Sequence, residues 1–215
     1  TQLHHAGRMQ GKGSTSLPAV GASPIPDPAN PIPVRQLAAG EIPGIVQKFV
    51  DGALRAQKSG FDGVEIHGAH GYLLAQFLSA GVNKRTDRYG GSISNRARIV
   101  CEIIRAVKEA CGSDFPVSVR TSGDEGYKGG NTIEAAAAQC MLFEQAGADV
   151  IHVSHGTAIH SYFSESGFNL KNVRRVKEAV SIPVIGVGRL NDPALIEKAL
   201  TAGDLDFAAL GRESV

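Results

Sequence analysis

The feature that most constrains this chain is a repeated alternation. Short apolar runs are separated by segments of helical period, at intervals of roughly 25–50 residues. The runs fall at 1–3, 61–66, 116–121, 149–153, 183–187 and 206–210. Between the first two, Ile42, Ile45, Val46, Phe49, Val50, Ala53 and Leu54 recur at helical spacing over 41–59, and Gly60 ends the helix. Ala97, Val100, Ile103, Ile104 and Val107 mark a second helix over 95–110. Others are predicted over 73–79, from a cap at Asn131 or Thr132 to 145, over 170–180, and from the Asp192–Pro193 pair to 202.

Strictly alternating strands and helices imply parallel strands with right-handed crossovers. An open doubly wound sheet would place a phosphate site at its first strand–helix turn, and no G-x-G-x-x-G stands there. Polar residues instead follow nearly every strand. That distribution favours an α/β fold of the (β/α)₈ TIM barrel class, whose chemistry sits at the C-terminal ends of the strands. Six strands are read where a closed barrel has eight. The expectation is a single partial barrel domain over 1–215, a fragment of about six units lacking the first two strands and the last helix. Residues 10–44 interrupt the pattern. They hold seven of the ten prolines (Pro18, Pro24, Pro26, Pro28, Pro31, Pro33, Pro43), which forbids a regular helix or a central strand. A flap over an active site is the expectation for so long a connection, with a passive surface excursion as the alternative.

Composition narrows the class of function. Hydrophobic residues make up 42% and charged residues 20%, and the net charge is +1. This supports neither nucleic-acid nor membrane binding, and no apolar run approaches the roughly 20 residues of a membrane span. The three cysteines, Cys101, Cys111 and Cys140, have no C-x-x-C spacing. They fit a reducing, cytoplasmic setting, with Cys101 and Cys140 packed in the core.

The chemistry concentrates in residues 60–72, GFDGVEIHGAHGY. His67, His70 and Tyr72 follow a strand within six residues. Imidazole can donate a hydrogen bond to a developing oxyanion, and phenol can deliver a proton. Any one of them is as easily explained by packing. A zinc pair is the weaker reading, because His-x-x-His supplies at most half a site; no metal is expected. Arg120 is a cation at the exit of an apolar strand. Gln2 and His5 sit at another exit, and an amide suits the edge of a heterocycle. The last two strands end alike, in IGVGR and ALGRE, placing Gly188, Arg189, Gly211 and Arg212 where barrels hold phosphate. A heterocycle edge, a cation and a phosphate cradle describe a nucleotide-like cofactor such as FMN.

Six motifs in order extend this reading: QLHHAGR, GFDGVEIHGAHGYLLAQFLS, NKRTDRYGGSISNR, VSVRTS, VIGVGR and ALGRE. Through them the chain resembles the Old Yellow Enzyme family of FMN-dependent NAD(P)H:flavin oxidoreductases, and its second half looks most like the branch containing 2,4-dienoyl-CoA reductases and related enoate reductases. The resemblance implies FMN at the barrel mouth, with NADH or NADPH as reductant and an α,β-unsaturated carbonyl as small-molecule substrate. It implies that Gln2 bonds the flavin pyrimidine edge, that Arg120 lies near N1, and that Gly188, Arg189, Gly211 and Arg212 cradle the phosphate. It implies that His67 and His70 bind the substrate oxygen and that Tyr72 donates the proton. A 4Fe-4S cluster belongs, by the same resemblance, only to longer forms and outside this chain. A homo-oligomer is left open, as are two other readings: amine or ether oxidation on the same scaffold, and a non-catalytic fragment.

Overall fold

A computed structural model describes residues 1–11, 13, 16–156 and 164–211. In chain order the elements are β1 (Gln2–Leu3), β2 (Ala19–Gly21), β3 (Val34–Gln36), α1 (Ile42–Lys58), β4 (Val64–Gly68), α2 (Leu73–Leu78), α3 (Ile93–Cys111), β5 (Val117–Ser122), α4 (Ile133–Gln145), β6 (Val150–Ser154), α5 (Leu170–Lys177), β7 (Val184–Gly186), α6 (Pro193–Thr201) and β8 (Phe207–Ala208).

Six of the strands form one parallel sheet in the order β1-β4-β5-β6-β7-β8. The spatial order follows the chain order without reversal, so successive crossovers cover one face only. This is singly wound barrel topology rather than a doubly wound sheet, and it provides six units of a (β/α)₈ barrel. Alternation along the strands sorts the side chains. Val64, Ile66, Val117, Val119, Ile151 and Val153 face the helices, where they share one buried cluster with Phe49, Ile103, Ile104, Phe143, Val173 and Val176. Each such burial contributes roughly 1.5–3 kcal/mol. Cys101 and Cys140 are buried in this layer, as expected. The opposite, inner face carries Gln2, Glu65, His67, Ser118, Arg120 and His152.

The element ends have local causes. Ser92 Oγ accepts the Asn95 N–H at 3.2 Å, so α3 begins before the predicted 95. Thr132 and Asp192 cap α4 and α6 in the same way. Helix α1 ends in a Schellman motif: Gly60 has φ +85°, its N–H reaches Gln57 O, and the Phe61 N–H reaches Ala56 O. The same pair of bonds recurs at Gly147–Ala148 and Gly203–Asp204. This corrects the predicted strand 61–66. Phe61 belongs to the helix cap and is 50% exposed; the strand starts at Val64 and continues through His67 and Gly68. The last strand is also shorter than the predicted 206–210.

The described residues of 10–44 hold more order than their prolines imply. Strands β2 and β3 pair in parallel as a separate two-stranded sheet, a 3-10 turn spans Ala39–Glu41, and α1 starts at Ile42. The segment is tied to the loop after α2. Arg85 Nη1 donates to Ala22 O and Leu37 O, and the Lys84 N–H donates to Ser23 Oγ.

Candidate active site

The site grows from the end of β4. His67 points to the inner face and is 4% exposed. Past Gly68 the chain must leave the sheet sharply, and His70 takes φ +60° to do so. That conformation costs a non-glycine residue of order 1–3 kcal/mol. The His70 N–H donates to Ser122 Oγ at 3.4 Å, and its Nε2 lies 2.8 Å from Ser154 Oγ. Tyr72 then opens α2 in extended conformation. The three predicted rings therefore converge: His67 to His70 is 5.1 Å between centroids, and His67 to Tyr72 is 5.3 Å.

A fourth ring joins them. His4 sits edge-on to Tyr72 at 4.5 Å and lies 5.9 Å from His67. Sequence reading singled out its neighbour His5 instead. His5 turns inward to the local backbone, its Nδ1 accepting the Gly7 N–H at 3.0 Å. Period two along the chain from Gln2 is the signal that would find His4.

Arg120 is the Cα partner of His67 on one side and of His152 on the other. Its Nε is buried without a hydrogen-bond partner, as is His67 Nδ1. Burial, then the Arg120 charge, pushes His67 down to about 4 and His70 down to about 3, so both imidazoles are neutral near pH 7. Gln2 lies one register step below, opposite Glu65. Its Nε2 donates to Glu65 Oε1 at 2.6 Å. A cleft at the N-terminal ends of the strands is lined in part by Gln2, Glu65 and Ser118 and is distinct from the ring cluster.

The predicted phosphate residues sit further along the same sheet edge. Gly188 has φ +147°, and a Cβ there would come within 2.6 Å of Asn169 Cβ. Packing on Asn169 already requires glycine at this position. Arg189 has φ +47°; its Nη1 donates to Ser164 O at 2.5 Å, and its carbonyl accepts from the Gly167 N–H. Gly211 has open space around its Cα. Arg212 lies outside the described residues. His70 and Arg189 are the two non-glycine residues with positive φ among the described ones, and both follow strands on the C-terminal face. Among the described residues no cluster of three or more His, Cys, Asp or Glu is arranged to hold a metal. No helix there is long and apolar enough to cross a membrane.

The profile of the NADH:flavin oxidoreductase / NADH oxidase family matches residues 1–215. An NADH oxidase of Thermoanaerobacter brockii is 44% identical over 218 residues, covering 98% of this chain and 34% of its own length. The chain thus spans about a third of that relative. Histamine dehydrogenase from Rhizobium sp. 4-9 superposes with a TM-score of 0.88 at 30% identity, over 97% of this chain and 32% of its own. Morphinone reductase, solved with tetrahydroNAD, superposes with a TM-score of 0.77 at 28% identity, over 98% and 61%.

Proposed function

The chain belongs to the NADH:flavin oxidoreductase / NADH oxidase family, and we propose that it carries the flavin-facing part of an FMN-dependent NAD(P)H oxidoreductase that reduces activated C=C bonds. In this reading residues 1–215 act as one partial barrel domain, with residues 10–44 flanking its mouth. The observation that carries it is the buried, unpartnered Arg120 Nε beside the His67–His70–Tyr72 cluster. A buried donor without a partner is costly in a resting fold and is accounted for by a bound acceptor. The residues fit FMN. Gln2 and Arg120 would hold the electron-rich edge of the ring, and Gly188, Arg189, Gly211 and Arg212 the phosphate.

When bound, FMN supplies the hydride, taken from NAD(P)H and passed to the β-carbon of an enone or enoate. The chain's own residues do the rest. His67 and His70, neutral at working pH, donate N–H bonds to the substrate oxygen and bind it more tightly as negative charge grows there. Tyr72, held edge-on by His4, delivers a proton to the α-carbon.

The test is a pair of anaerobic half-reactions on the full-length protein loaded with FMN. NAD(P)H is expected to bleach the flavin, and an enone to restore its colour. Flavin bleached by NAD(P)H but not restored by any activated alkene overturns the alkene assignment. The likeness to histamine dehydrogenase favours amine oxidation as a second reading. Bleaching by an amine in the absence of NAD(P)H would select it.

A further inference from the structure

Beneath the ring cluster one carboxylate links four strands. Glu65, on β4, accepts from Gln2 Nε2 on β1 at 2.6 Å, from Ser118 Oγ on β5 at 3.1 Å and from His152 Nδ1 on β6 at 2.9 Å. Gln2 and His152 are 150 positions apart in sequence by their numbers, yet both meet the same side chain. Glu65 is opposite Ser118 in register, one step below the His67–Arg120 pair. It therefore stands behind the residues that would face a ligand rather than among them.

An ionised carboxylate only accepts hydrogen bonds. Gln2 must turn its amide nitrogen towards Glu65, which leaves Oε1 and the second N–H for anything seated beyond it. His152 must likewise offer Nδ1–H, leaving a buried Nε2 without a partner. The charge itself is secure. Burial opposes it, but the hydrogen bonds from His152 and Gln2 and the charges of His152 and Arg120 prevail and hold the carboxyl at about 2.

We infer that Glu65 is a positioning residue that sets the orientation of the Gln2 amide, and with it the hydrogen-bonding edge this chain presents to its cofactor. The inference rests on the FMN reading. A glutamine at position 65 could donate or accept, so the Gln2 amide would lose its fixed sense.

The experiment is a double-mutant cycle on the full-length apoprotein, titrated with FMN and followed by quenching of flavin fluorescence. Glu65→Gln is expected to weaken FMN binding on the order of tenfold, the loss of one hydrogen bond to a charged group. Gln2→Leu is expected to weaken it similarly. The double variant is expected to lose much less than the two together, because Glu65 acts through Gln2. A merely structural role for Glu65 gives additive losses, and additivity overturns the inference. So does an unchanged affinity in Glu65→Gln. If Glu65→Gln does not fold, the cycle is run with Glu65→Asp, which keeps the charge but shortens its reach; the same non-additivity is expected and full additivity again overturns it. Failure of the unsubstituted protein to bind FMN overturns the flavin reading itself, and is seen before any variant is made.

Discussion

Residues 60–72 and residues 83–92 are equally distinctive as sequence, rich in charged, aromatic and glycine residues, yet they do opposite things. In the second stretch nearly every polar group is satisfied. Asn83 Nδ2 donates to Phe77 O and Tyr89 O, and its Oδ1 accepts the Arg85 N–H. Arg85 is paired with Asp87 and bonded to two carbonyls of the 10–44 segment, and its guanidinium lies over Phe77 at 5.6 Å. Tyr89 is fully buried, with its hydroxyl donating to Glu102. The first stretch keeps a buried nitrogen unpaired on His67, a strained backbone at His70 and a half-buried phenol at Tyr72. Satisfied polar groups, not distinctive residues, separate a brace from a site. A brace closes its hydrogen bonds internally, while a site leaves some for a ligand.

Substitutions can break this contrast. The largest effect is expected from Arg85→Ala, which strips a buried cation from Asp87, Ala22 O and Leu37 O. A stability loss of about 3–5 kcal/mol is expected, read from the denaturation midpoint; a loss under 1 kcal/mol would mean that this loop is no brace. Tyr72→Phe is expected to slow alkene reduction by about 10²–10⁴-fold in stopped flow while leaving flavin reduction and melting unchanged. Equal rates in the second half-reaction would remove the proton-donor role. Arg120→Met deletes a cation whose buried Nε has no partner. The apoprotein is expected to be as stable as wild type, or more stable by about 1 kcal/mol, with FMN binding weakened. A clear fall in apoprotein melting would place Arg120 with the braces.

A further effect concerns pH. His67 titrates near 4 when folded, below the ordinary 6.5 of the unfolded chain. Between these values the unfolded state binds more protons, so this histidine's contribution is complete above 6.5 and declines as pH falls towards 4. His67→Asn is expected to flatten the acid limb of a stability–pH curve over that window. Glu65, held at about 2, loses its own contribution below its ordinary 4.5, so the two proteins are compared between pH 4.5 and 6.5. An identical acid limb in the variant would show that His67 is not held neutral by its surroundings.

Much of the candidate site was legible because it is local. His67 stands at the end of β4, and His70 and Tyr72 follow within five residues, so their proximity follows from chain connectivity. Arg120 was legible as a cation ending an apolar strand. His4 was missed because the two histidines of HHAGRM look alike until strand direction decides which faces inward. The Asn169 packing that demands glycine at 188 joins residues 19 positions apart and leaves no local trace in the sequence. The strand at 61–66 was misplaced because an aromatic beside a strand looks like part of it, whereas the Schellman bonds of α1 claim Phe61 first.

The sequence alone determined the alternation of strands and helices, the caps that stop them and the clustering of rings after one strand. Those depend on periodicity and on neighbours a few residues apart, which composition along the chain records directly. It took the folded arrangement to join Gln2 to His152 through Glu65, to clasp the 10–44 segment with Arg85, and to leave Arg120 Nε without a partner. Such meetings depend on the register between strands and on where loops close. They join residues dozens of positions apart, and no local pattern in the sequence records which of them will touch.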